Sequence, residues 1–160
     1  MTEQIRDFSQ AKAYALRLVK FRPRSQKEII EKLTGRGFGS DIIGMTVVFL
    51  KKAKVIDDAL FADLWVKARI KKPLGFARLR YELKAKGIEK DTIEEVLDKA
   101  KEGYCEEEIV RGIIKNKAKS MQKLPVDKIR SRLYSYLIRR GFSRPLVMQA
   151  LFSEGIKDEL

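Results

Sequence analysis

Three stretches of this chain share one pattern of apolar and polar positions. Leu79 and Leu83 stand one helical turn apart, and Gly87-Ile88 follows a turn later. Ile29, Leu33 and Gly37-Phe38 show the same spacing upstream, and Leu133, Leu137 and Gly141-Phe142 show it downstream. Beyond each glycine comes a second apolar pair: Ile43 and Val47, Ile93 and Leu97, Val147 and Leu151. Apolar residues four apart mark one face of an α-helix, and glycine ends a helix at little cost. The glycines lie 50 and 54 residues apart, so the chain reads as three copies of one unit.

The elements follow from that frame. Residues 1–7 are polar and are expected to lie outside the first helix. From Phe8 to Lys20, Ala11, Tyr14, Ala15 and Leu18 share a face. Pro23 stops this helix, and Ser25-x-x-Glu28 is a capping box for the next, which carries Ile29, Ile30 and Leu33. Ser40 or Asp41 is expected to cap a third helix running to about Lys54. Its stretch Ile42 to Leu50 has no charge, which predicts burial. Asp57-Asp58 opens the second unit as a cap, with Phe61, Ala62 and Trp65 facing inward, and Pro73-Leu74-Gly75 breaks that helix. Asp91-x-x-Glu94 resembles another capping box, and Gly103 closes the unit.

Glu106, Glu107 and Glu108 open the third unit, where acids meet the positive end of the helix dipole. Ile109, Val110, Ile113 and Ile114 form its apolar face. Lys115 to Val126 reads as a longer connection, to which the four extra residues of spacing are ascribed. Asp127 to Arg140 is the next helix, and Ser143 caps the last, with Pro145 in its first turn. No strand-like alternation is present. The expected fold is all-α: three tandem three-helix repeats in an elongated array, with boundaries at 1–56, 57–102 and 103–160.

Composition then narrows the function. The net charge is +13, which points to an anionic partner. A single cysteine, Cys105, excludes an intramolecular disulfide. No signal-peptide core and no apolar run long enough for a bilayer are visible, so a cytoplasmic protein without a membrane partner is expected. The chain has no histidine, the usual general base and zinc ligand. Gly35-x-Gly37-x-Gly39 follows a helix and lacks the Lys-Ser/Thr of a phosphate loop, so it reads as a helix stop. Glu94-Glu95 and Asp57-Asp58 are adjacent and do not face each other on a helix. An enzyme, a metal and a cofactor are all not expected.

The basic residues recur in register. Residues 8–27, 64–81 and 109–126 each contain no acid and five or six bases. Each block spans the end of a unit's first helix and the linker after it. Another acid-free run covers residues 128–153. A positive edge built this way suits a phosphate backbone or an acidic protein groove. The candidate contact residues are Arg22, Arg24, Lys67, Arg69, Lys71, Lys72, Arg78, Arg80, Lys117, Lys119, Lys123, Arg139 and Arg140. Sequence-specific reading of DNA is disfavoured. The third helix of the first unit is apolar, and that of the second carries Asp91, Glu94, Glu95 and Asp98.

AYALRLVKFRPRSQKEIIEKL, then VIDDALFADLWV, then LGFARLRYELKAKGI strongly resembles the RecX family, bacterial regulators of the RecA recombinase. The match covers about residues 11–100, and the last sixty residues follow by repeat pattern. One departure is Ala53-Lys54, where the family often has glycine; it touches only the local turn. The resemblance implies three three-helix units in a curved molecule. It implies binding within the groove of a RecA filament on single-stranded DNA, inhibiting recombinase and ATPase activity or promoting disassembly, without enzymatic activity. The shared motif residues are mostly caps and core, so the contact residues rest on charge alone. The expected partners are a RecA filament and, as an accessory, single-stranded DNA without sequence preference; the chain itself is expected to be a monomer. The alternative is a nonspecific DNA- or RNA-binding helical scaffold.

Overall fold

The structure, a computed structural model, describes residues 2–156 and the side chains of residues 7–156. It is all helical: α1 (Thr2–Phe21), α2 (Gln26–Thr34), α3 (Ser40–Lys52), α4 (Asp58–Arg69), α5 (Phe76–Ala85), α6 (Lys90–Lys101), α7 (Glu106–Lys119), α8 (Val126–Arg139) and α9 (Arg144–Ser153). No strand occurs among the described residues. The helices fall into three successive triplets, as the repeat predicts.

The shared pattern has one structural cause. In each triplet the second helix ends at a glycine in the left-handed region, with φ of 88° at Gly37, 79° at Gly87 and 87° at Gly141. The residue after the glycine donates back to the carbonyl of the conserved-spacing leucine: Phe38 to Leu33 at 3.2 Å, Ile88 to Leu83 at 3.1 Å, Phe142 to Leu137 at 3.2 Å. This is the Schellman closure, which satisfies carbonyls that the helix end leaves open. All three leucines are fully buried.

Several local expectations are corrected. The residues before Phe8 are helical from Thr2 onward, because no glycine or proline interrupts residues 2–21; Met1 lies outside the described residues. Gly39, not Ser40 or Asp41, stands at the start of α3 and offers no side-chain cap. That helix stops at Lys52, and Lys54 takes φ 52°, the left-handed position where glycine would sit without strain. α6 starts at Lys90, so Asp91 lies inside its first turn. α3 buries Ile42, Ile43, Thr46, Val47 and Leu50 but leaves Met45 and Val48 half exposed; it has one buried face, not full burial. The caps at Ser25, Asp57 and Ser143 form as expected.

The extra four residues of the third repeat are not in its connection. Superposing the leucine pattern places Ile129 where Ser25 and Gly75 precede their helices. The residue preceding α8 is instead Pro125, four positions earlier. The insertion is one added turn at the start of α8.

By packing, the chain divides into two compact units, which cut across the repeats. The first holds residues up to Trp65 with Leu83–Val96, and the second holds Val66–Glu82 with Leu97 onward. Each unit centres on a junction between successive repeats. In the first, Ser25 Oγ donates to Lys86 O at 2.7 Å, and the first amide of α2, Gln26 N, donates to Asp58 Oδ1 at 2.7 Å. In the second, Gly75 N donates to Arg140 O at 2.9 Å, and the first amide of α5, Phe76 N, donates to Glu106 Oε1 at 2.6 Å. The rule is the same in both. A second helix is capped by the first residue of the next repeat's first helix, and its start rests on the next repeat's glycine turn. Tyr104 adds a buried clasp in the second unit: its hydroxyl accepts from Leu74 N at 2.9 Å and donates to Leu74 O at 2.8 Å.

The cores follow the units. Ala11, Ala15, Ile29, Leu33, Ile42, Ile43, Val47, Leu50 and Ile56 cluster in the first. Val110, Ile114, Leu133, Leu137, Phe142, Val147, Ala150 and Leu151 cluster in the second.

Candidate functional site

The basic residues singled out by sequence sit at helix ends and linkers. Lys67 and Arg69 close α4, Lys117 and Lys119 close α7, and Arg139 closes α8. Part of their recurrence is thereby explained inside the fold, since cations at a helix C-terminus oppose its dipole. Arg22, Arg24, Lys71, Lys72 and Lys123 lie in linkers, Arg78 and Arg80 in α5, and Arg140 just past α8.

Three of the candidates hold the fold together. Arg22 makes a two-pronged bond to Glu28, Nη2 to Oε1 at 2.8 Å and Nη1 to Oε2 at 3.1 Å, and Lys86 Nζ reaches the same Oε1 at 2.7 Å. Arg69 makes the equivalent fork to Glu82 at 2.6 and 2.8 Å, and Arg78 Nε joins it at 3.0 Å. Each carboxylate ties the region after a first helix to the helix that follows. Burial alone would raise the Glu28 carboxyl; hydrogen bonds from Arg22 and Lys86, and their charges, overcome it and hold the group at about 2. The Arg22 and Arg69 guanidiniums are correspondingly raised, chiefly by the hydrogen bonds to Glu28 and Glu82.

The capping carboxylates behave oppositely. Asp58 and Glu106 are raised, in both cases mainly by burial, against the pull of the amide each accepts from. Lys51 also lowers Asp58, while Lys101 and Arg80 lower Glu106. Arg80 is half-buried with its charge near Glu106, so it is partly neutralised there.

Lys71, Lys72, Lys119, Lys123 and Arg139 are exposed, and none makes an ion pair among the described residues. Gly75 N on Arg140 O, with Arg140 Nη1 3.5 Å from Pro73 O, joins the linker after α4 to the end of α8. The junction thus brings the linker of Lys71 and Lys72 to the helix end of Arg139 and Arg140. Lys117 and Arg140 both lie over the Tyr136 ring, at 4.2 and 5.1 Å. Lys67 is exposed at the end of α4.

Sequence reasoning missed a further regularity. The residue before each turn glycine is basic: Arg36, Lys86 and Arg140. Each lies over an aromatic ring, Arg36 over Tyr14 at 5.2 Å, Lys86 over Trp65 at 5.0 Å and Arg140 over Tyr136 at 5.1 Å. The signal is present in the aligned repeats, but of the three only Arg140 falls in one of the four long acid-free blocks. Among the described residues no cluster could hold a metal ion, and no helix is long and apolar enough to cross a membrane.

Comparison with known proteins agrees with this architecture. Residues 11–50 match the family model described as RecX, first three-helix domain, and residues 57–97 match RecX, second three-helix domain. The chain is 35% identical over 152 residues to the regulatory protein RecX of Clostridium acetobutylicum, covering 90% of this chain and 70% of that protein. It is 36% identical to the regulatory protein RecX of Chlorobium phaeobacteroides, covering 86% and 88%. Its fold is that of the crystal structure of RecX from Lactobacillus salivarius, with a TM-score of 0.81 at 19% identity over 96% of this chain and 99% of that one. With three repeats closed by the same glycine turn, and with these relatives matched along most of its length, the chain belongs to the RecX family of regulatory proteins.

Proposed function

We propose that this protein regulates a RecA-type recombinase by seating on its filament on single-stranded DNA, and that it does so by binding, without catalysis. The observation that carries the reading is the set of unneutralised cations at the second junction: Lys71 and Lys72 in one linker, Arg139 and Arg140 at the helix end joined to it, and Lys117 beside Tyr136. Several cations on one small area suit a repeating anionic surface, whether phosphate or acidic protein. Lys119 and Lys123 extend the set; Arg22, Arg69 and Arg78 serve mainly to hold the linkers in place. Occupying the filament as a monomer, the protein inhibits strand exchange and the ATP hydrolysis coupled to it. Nucleic acid contributes accessory affinity without sequence preference.

The test is a triple reversal, Lys71→Glu, Lys72→Glu and Arg139→Glu, read by inhibition of single-stranded-DNA-dependent ATP hydrolysis by RecA. Loss of inhibition is expected, with helical content and melting nearly unchanged, since exposed cations contribute only ~0–1 kcal/mol each to folding. A matched reversal at Lys32, Lys90 and Lys99, all exposed and none of them in the linker or helix end that carry these cations, is expected to inhibit like wild type. Equal inhibition by wild type and the junction variant would sink the role of these cations. Wild-type binding to DNA that falls steeply with salt, with no effect on RecA, would favour a nucleic-acid scaffold instead.

A further inference from the structure

One apolar groove in the first compact unit has no role in the reading above. It is lined by Val19 near the end of α1, Pro23 and Arg24 in the linker, Val55 and Asp57 before α4, and Leu60, Phe61 and Leu64 on α4. Its volume is about 140 Å³, similar to the ~150 Å³ apolar cavities that accept a benzene ring.

Its walls are more apolar than the fold requires. Leu60 is 57% exposed and Leu64 41% exposed. Aligning α4 with α7 by their first residues pairs Phe61 with Ile109, Ala62 with Val110 and Val66 with Ile114, so the inward face is kept. At the outward positions the third repeat has Glu108 for Leu60 and Gly112 for Leu64. The repeat folds with polar or minimal residues there, yet α4 presents two leucines one turn apart. Phe21, 82% exposed, ends α1 two residues before Pro23 and adds to the apolar surface of this region.

The polar inventory of the groove is one-sided. Asp57 Oδ1 already accepts from Ala59 N at 2.9 Å and Leu60 N at 3.0 Å. Arg24 Nε is buried and has no hydrogen-bond partner. A buried donor without an acceptor is costly, and a guanidinium is best satisfied by a carboxylate. Arg24 as a whole is only half-buried and makes no ion pair among the described residues, so the groove offers an apolar seat beside one unpaired guanidinium. A phosphate backbone fits poorly, because the walls are aliphatic and carry a single arginine.

We propose that this groove receives an acidic segment of the recombinase, with an apolar side chain between Leu60 and Leu64 and a neighbouring carboxylate on Arg24. The assignment rests on the recombinase reading for the identity of the partner. It adds a protein-to-protein contact, chemically distinct from the cations at the second junction.

The test uses the full chain and RecA filaments assembled on labelled single-stranded DNA. The variants are Leu60→Glu with Leu64→Gln, and separately Arg24→Gln. Both are expected to weaken filament binding tenfold or more while binding to bare single-stranded DNA and melting stay within twofold and a few degrees of wild type. Met148→Glu, which charges a half-exposed apolar residue on α9, is expected to bind as wild type. Filament binding that survives both groove variants overturns the groove assignment alone. Equal losses on filament and bare DNA overturn it in favour of a nucleic-acid contact. No filament binding by wild type overturns the recombinase reading and this assignment together.

Discussion

Two cations converge on the Glu28 carboxylate, Arg22 from the linker before its helix and Lys86 from the next repeat. An acid whose folded pKa lies below its ordinary value stabilises the fold above that value and ceases to do so as pH falls through the folded one. For Glu28 the window runs from the ordinary 4.5 down to about 2. Melts of wild type and Glu28→Gln are expected to differ at neutral pH by on the order of 1–2 kcal/mol, because both cations keep partial access to water. The gap should close as pH drops through that window; a gap that stays constant to pH 2 would show that the charge of Glu28 is not what matters. Residue roles of this kind were only partly legible. Asp57 reads as a cap because its partners, Ala59 and Leu60, are its neighbours. Asp58 looks identical in sequence, but its partner is the amide of Gln26, and nothing local announces it. Arg22 and Arg69 looked like free cations for the same reason: their carboxylates lie 6 and 13 residues along the chain, and only the fold turns the groups toward each other; Arg78 and Glu82, four apart on α5, are a pair the helical spacing itself announces.

The helices were the legible part, because their signals are local: a capping serine, a proline stop, a glycine closure. What the local signal does not give is how much else depends on a given turn. Gly37, Gly87 and Gly141 share a backbone conformation, but their surroundings differ. A Cβ at Gly37 would meet nothing within 4 Å, while one at Gly141 would lie 2.3 Å from Arg78 Cβ and 2.5 Å from Arg78 N. Gly37→Ala is expected to cost ~1–2 kcal/mol, the strain of a left-handed residue alone. Gly141→Ala carries the same strain and must also push α5 off its seat, so a cost of ~3 kcal/mol or more is expected. Urea denaturation of the two variants orders them. Equal losses would mean that the start of α5 yields easily, and that the second junction is soft. The start of α3 and of α6 misled for a smaller reason. Polar residues crowd both starts, and the expected cap lay one residue past the cap position of α3 and two past that of α6.

At the scale of the molecule, the triple repeat and the all-helical fold were written in the spacing of three glycines. The grouping into two packing units was not, because the middle repeat contributes to both, and spacing carries no information about which neighbour a helix prefers. The positive edge was half legible: its recurrence pointed to linkers, but part of that recurrence serves helix ends and internal carboxylates. The added turn of α8 has a consequence of its own. A chain whose repeats seat one on the next has two unlike ends, an open glycine turn at Gly37 and the start of the last second helix. If those ends matched, one molecule could seat on another without limit, since contacts of this head-to-tail kind close no ring unless the geometry happens to return on itself. With Ile129 inside a helix where Ser25 and Gly75 present an opening, they do not match. Deleting Val126–Ile129 together with Pro125→Ser restores both the spacing and the donor that the other repeats present. The shortened protein is expected to sediment as progressively heavier species as its concentration rises, while the parent does not. A deletion variant that stays at the mass of one chain would show that this turn does not govern head-to-tail seating.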